Sequence, residues 1–145
     1  MKHYLVVANR TLLGDHLLYE VRRRMAEGPC DFHVVVPASH PQGTWTWTEA
    51  QDRSAARNRL ALALIGLRME GASVEGAIGD ASPLDAIADQ LRAQPVDEII
   101  LSTLPTGVSR WLRQDLPARV RARFGVPVTH VLAPGAEHPA FALAS

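Results

Sequence analysis

The sequence has almost no lysine: of its 15 basic residues, every one but Lys2 is arginine. Cys30 is its single cysteine, which excludes a disulfide framework and a cysteine-based zinc site. Net charge is zero with histidine neutral, so no global field draws the chain to nucleic acid or to an anionic membrane. No apolar run approaches the roughly 18 residues of a membrane span. The opening MKHYLVVANR is too short and polar for a signal peptide, and the expected address is cytoplasmic. Catalytic signatures are also missing. There is no G-x-S-x-G elbow, no G-x-G-x-x-G after the first apolar run, and no histidine pair at helical i, i+4 spacing. A hydrolase, a dinucleotide-binding enzyme of the usual type and a metal centre are therefore disfavoured.

What is present suits one α/β domain. At 145 residues with 47% apolar content, the chain is long enough to bury a core. Valine- and isoleucine-rich runs at Tyr4–Ala8, Phe32–Val36, Val74–Ile78, Val96–Leu101 and Val126–Leu132 alternate with longer helical patterns. Near-continuous apolar strands indicate burial on both faces, as in a parallel sheet. The first helix is expected from Leu12 to Glu27, with Leu13, Leu17, Val21 and Met25 as its stripe and Gly28-Pro29 as its stop. The second is expected from a Thr48 cap to Glu70, buried through Leu60, Leu64 and Leu67. Ser82-Pro83 announces the third, which buries Leu84, Ile87, Ala88 and Leu91. The fourth is split, with Ser109 capping a turn through Arg113 and Asp115-Leu116-Pro117 opening a second piece. The expected core includes Val6, Val35, Ile78, Ile100 and Val128. Pro37–Trp47 reads as a long loop, and residues 134–145 as an irregular tail beyond a domain spanning 1–133.

GDASPLDAIADQL, VDEIILST and GVPVTHVLA, in that order, resemble the universal stress protein domain over nearly the whole chain. The resemblance implies a Rossmann-like open parallel sheet in order 3-2-1-4-5 with helices on both faces. It implies a homodimer through the last strand and a regulatory or binding role rather than catalysis. Members that bind ATP carry G-x2-G-x9-G-[ST] after the fourth strand, where glycine backbone approaches phosphate at a helix N-terminus. Here those positions fall on Ser102, Pro105, Asp115 and Leu116. The family's adenine-reading aspartate after the first strand is replaced by Asn9-Arg10. Weak or absent ATP binding is expected.

Ligands of open α/β sheets bind at the carboxyl ends of the strands. The residues expected there are Asn9, Arg10, Ser102, Thr103, Thr106, Gly107, Ser109, Arg110 and Arg113. Arginine forks and hydroxyls suit phosphate or carboxylate, so the expected ligand, where there is one, is a nucleotide or another anion. The same residues also suit a solvated basic helix with capped turns. No cofactor is certain, and no metal or catalytic residue is assigned. Trp111 is expected to anchor its turn on the sheet, and Asp80 to fix a turn ahead of the third helix. His33 and His130 are expected as satisfied strand residues. Trp45 and Trp47 are read equally as a lid or contact patch, or as packing over a helix end. Arg22, Arg23 and Arg24 form a basic knot. The rival readings are a nucleotide-binding enzyme of the wider adenine-nucleotide α-hydrolase-like superfamily, whose S-G-G-x-D-S or HIGH-like motifs NRTLLGDH lacks, and a ligand-free dimerisation module.

Overall fold

β-branched side chains fit a pleated surface buried on both faces, and the valine- and isoleucine-rich runs become strands. The computed structural model describes residues 1–38, 47–105, 107 and 109–134. Its order is β1 (Lys2–Val7), α1 (Asp15–Glu27), β2 (Cys30–Pro37), α2 (Trp47–Met69), β3 (Val74–Gly79), α3 (Pro83–Ala93), β4 (Glu98–Thr103), α4 (Arg110–Arg113), α5 (Leu116–Phe124) and β5 (Val128–Leu132). The five strands form one parallel sheet in order β3-β2-β1-β4-β5, as expected.

Alternation along each strand divides the core in two. Tyr4, Val6, Phe32, Val34 and Ile100 pack under Leu17 and Val21 of α1 and Leu60 and Leu67 of α2. Leu5, Val7, Val35, Ile99 and Leu101 pack under Ile87 of α3 and Leu116 and Val120 of α5. Val6, Val35 and Ile100 are fully buried, whereas Ile78 and Val128 are only partly so. Those two stand on β3 and β5, the edge strands, which have a neighbour on one side only. Gly79 lets β3 pass close to α3: a Cβ there would meet Val35 Cγ2 at 2.7 Å and Ala86 Cβ at 3.0 Å.

Several boundaries differ from expectation. α1 begins at Asp15, not Leu12, because two turns precede it, with Leu12 N–H bonded to the Asn9 carbonyl and Gly14 N–H to that of Thr11. Leu13 thus falls outside the helix and is exposed. Trp47 opens α2 instead of closing the loop. β5 starts at Val128, after Pro127, which has no N–H to give a ladder. Ser82 and Ser109 cap α3 and α4 as expected, accepting from Asp85 N–H and Leu112 N–H. Trp45 and most of the expected loop and tail lie outside the described residues.

The basic knot is not a solvated unit. Arg22 and Arg23 are exposed, but Arg24 is 2% exposed and stands on the buried face of α1 with Leu17 and Val21. Its Nη2 donates to Glu98 Oε2 at 2.8 Å and to Thr129 Oγ1 at 3.2 Å, and its Nη1 to Glu20 Oε2 at 3.0 Å. The guanidinium also lies 5.5 Å from the Tyr4 ring centroid. Burial is the largest single influence and opposes the charge on Arg24, but the bonds and charges of Glu98 and Glu20 together outweigh it and hold its pKa above the usual value. Glu98 ends below its usual value, since Arg24 and Thr129 outweigh the effect of its own burial.

Ile100 is fully buried on β4, paired with Val6 of β1 on one side and Thr129 of β5 on the other. Ile100→Ala should lower unfolding free energy by about 2–5 kcal/mol through cavity formation, measured by denaturant titration. A loss below about 1 kcal/mol would be inconsistent with a packed position.

Candidate functional site

A crevice of about 420 Å³ opens at the carboxyl ends of β1 and β4. Parallel strands place their outgoing loops side by side there. The β1–α1 loop contributes Asn9, Arg10 and Thr11, the end of β4 contributes Ser102 and Thr103, and the loop after it Leu104 and Ser109. α4 adds Arg110, Trp111 and Arg113, while α2 adds Asp52 and Arg59. Seven of the nine expected residues therefore meet around one cavity: Asn9, Arg10, Ser102, Thr103, Ser109, Arg110 and Arg113. Gly107 is not part of the lining. Its φ of +91° is the left-handed turn expected of it. Thr106 lies outside the described residues.

Most of the expected polar groups are already engaged. Asn9 Nδ2 donates to the Pro37 carbonyl at 2.9 Å, and its Oδ1 accepts from Arg59. Thr103 Oγ1 donates to the Leu104 carbonyl at 3.0 Å and contacts His130 Nε2 at 2.8 Å. Ser109 Oγ is the α4 cap. Ser102 Oγ lies 2.6 Å from Thr11 Oγ1 and 3.0 Å from His16 Nε2. A histidine thus does stand beside Ser102, although the sequence spacing gave no sign of one. It is not arranged as a nucleophile's base. Ser102 is 1% exposed, and His16 Nδ1 is buried without the partner that would orient it.

The cations are less engaged. Among the described residues Arg10, Arg110 and Arg113 are exposed and have no carboxylate at ion-pair distance. Arg59, which sequence reasoning missed, is half-buried. Burial and then the charge of Arg10 push its pKa down, and Asp52 only partly opposes them. Four arginines thus face one aspartate in the lining, a local excess of positive charge in a neutral chain. Trp111 packs against the α3/α5 side of the core, the expected anchor. Asp80 accepts from Ser82 N–H at 2.9 Å, the expected turn. No metal-holding group of His, Cys, Asp or Glu occurs among the described residues. No helix among them is long and apolar enough to cross a membrane. Cys30 is half-buried, and burial pushes its thiol pKa up, away from reactivity.

At the opposite end of the sheet, His33 lines a second cavity of about 270 Å³ with His3, Asp31 and Glu75. His33 Nε2 is buried and unpartnered, against the expectation of a satisfied side chain. His130 is satisfied by Thr103, as expected.

A five-stranded parallel sheet in this order, with helices on both faces and a crevice after β1 and β4, defines an open α/β fold of nucleotide-binding type. In particular the fold is that of universal stress proteins. One from Archaeoglobus fulgidus, in complex with dAMP, is 22% identical with a TM-score of 0.63, covering 90% of this chain and 97% of its own. A family member from Arabidopsis thaliana with AMP bound is 11% identical with a TM-score of 0.63, covering 97% and 99%. Another from Burkholderia pseudomallei is 12% identical with a TM-score of 0.60, covering 89% and 94%. No family model and no curated protein matches the sequence.

The histidines make stability pH-dependent. Burial is the main cause lowering the pKa of His16, His33 and His130. Asp15 opposes it at His16, Glu75 and Asp31 oppose it at His33, and Arg121 adds to it at His130. In each case the unfolded chain binds the proton more readily. Stability is therefore full above the unfolded value of about 6.5 and is lost as pH falls toward the depressed folded values. The melting temperature should drop between about pH 7.5 and about pH 5.5. An unchanged value across that interval would contradict the assignment.

Proposed function

We propose that this chain is a universal-stress-protein-like regulatory or binding domain, non-catalytic, whose crevice holds an anion or a nucleotide through arginine side chains. The observation that carries the reading is the excess of positive charge around one cavity, Arg10, Arg59, Arg110 and Arg113 against Asp52 alone. Guanidinium forks bind phosphate or carboxylate in two parallel bonds, so the ligand class is an anionic oxygen acid. The AMP and dAMP complexes of proteins with the same fold support a nucleotide. ATP itself binds weakly on this reading. Pro105 has no N–H for a phosphate, and the Asp115 carboxylate adds negative charge where the family has glycine.

A thermal-shift screen of AMP, phosphate and sulfate tests the ligand class. At 100 times its dissociation constant a bound anion should stabilise the protein by about 2.7 kcal/mol. The double variant Arg110→Ala/Arg113→Ala should lose that gain. If no anion shifts the wild type, or the variant responds equally, the crevice is not an anion site. Calorimetric titration with Mg-ATP should give a dissociation constant weaker than micromolar, and a micromolar value would show that side chains have rebuilt the phosphate loop.

We also propose a homodimer formed through β5. Among the described residues β5 pairs with β4 alone, so its other edge offers unpaired backbone groups, and Leu132 is exposed beside them. Sedimentation velocity at high micromolar concentration should show a dimer. A monomer there would rule this arrangement out.

A further inference from the structure

Thr11, Ser102 and His16 form a chain of polar groups beneath the crevice, and its direction is set at the histidine end. His16 Nδ1 is buried without a hydrogen-bond partner. A Cβ placed on Gly14 would fall 2.3 Å from Cε1 and 2.5 Å from Nδ1 of that ring, so the Cε1–Nδ1 side of the imidazole lies close over the glycine. A bare lone pair tolerates a C–H neighbour and is weakly attracted to it. A proton on Nδ1 would instead be a buried donor pressed against another hydrogen. The neutral ring therefore carries its proton on Nε2 and donates to Ser102 Oγ.

The protons can then be counted. His16 Nε2, Ser102 and Thr11 bring three hydrogens to two contacts. One hydroxyl proton is left over. Both hydroxyl-bearing residues line the crevice, Thr11 at 6% exposure and Ser102 at 1%. With Ser102 Oγ accepting from His16 and donating to Thr11 Oγ1, the spare proton falls to the outer residue. Each bond in such a row polarises the next, which strengthens the terminal donor.

We infer that Thr11 is a ligand-binding residue, donating its hydroxyl proton to a phosphoryl or carboxylate oxygen in the crevice, with Ser102 and His16 as positioning residues that fix its direction. The assignment rests on the anion reading of the crevice and adds to it a neutral, directed donor among diffuse cations.

Two measurements test it. Nitrogen-15 NMR of the free protein reads the His16 tautomer without any ligand, and the neutral ring should be protonated on Nε2. A proton on Nδ1 reverses the chain and overturns the inference. Inorganic phosphate and AMP are then titrated into wild type, Thr11→Val and Thr11→Ser, with melting curves to confirm folding. A hydrogen bond to a charged acceptor implies roughly a tenfold loss of affinity in Thr11→Val, recovered in Thr11→Ser. Equal affinity in wild type and Thr11→Val defeats this assignment alone. Failure of the wild type to bind either probe defeats the anion reading, and this assignment with it.

Discussion

The orientation of α1 on the sheet hangs on Arg24. Its guanidinium is almost wholly buried, and it joins Glu20 on the helix to Glu98 on β4 and Thr129 on β5. Removing one partner of such a buried pair strands the other charge and typically costs about 3–5 kcal/mol. The net contribution of the pair itself is smaller, because both ions were taken out of water. What it supplies is geometry. The forked arginine adds direction-dependent contacts to the apolar packing of Leu17 and Val21. Fixing α1 fixes the loop that enters it, and that loop carries Arg10, Thr11 and the Gly14–His16 contact.

The crevice divides its work between charge and direction. The polar side chains of its floor are already hydrogen-bonded: Asn9 with the Pro37 carbonyl and Arg59, Thr103 with the Leu104 carbonyl and His130, Ser102 with Thr11 and His16. Its rim carries arginines that no carboxylate neutralises among the described residues. A glycine loop recognises phosphate by backbone groups held at fixed positions. A rim of guanidinium groups recognises it by field and by forked contacts from long side chains. The second arrangement tolerates more ligand shapes and is weakened more by salt, since exposed charges are screened over roughly 10 Å at 0.1 M ionic strength.

The fold was legible in the sequence because its signals are local. Runs such as Val34–Val36 and Ile99–Leu101 announce buried strands by themselves, and Ser82-Pro83 and Ser109 announce helix starts within four residues. The crevice was partly legible, because parallel strands must bring their outgoing loops together. What escaped depends on contacts far apart in sequence. His16 meets Ser102 across 86 positions, and Arg24 meets Glu98 across 74. A signal did exist for Arg24: it continues the spacing of Leu17 and Val21, while Arg22 and Arg23 fall off that face. Arg59 carried no such mark, since an arginine on a long helix is ordinarily solvated. Ser102, Thr103 and Ser109 could be placed near the crevice, but apart from the Ser109 cap their partners could not be named, because composition shows which groups are present and not which already hold one another.

Asp115 holds a backbone conformation that side chains seldom adopt. It joins α4 to α5 at φ 57° and ψ 39°, the only non-glycine residue with positive φ among those described. Side chains resist that conformation by roughly 1–2 kcal/mol, and glycine accepts it freely. Aligned on β4, this is where the phosphate-binding sequences place a glycine. The backbone here takes a torsion that glycine would adopt freely, with an aspartate in its place. A glycine there would relieve the torsion without moving the chain, so the backbone path between α4 and α5 does not depend on which of the two residues stands at this joint.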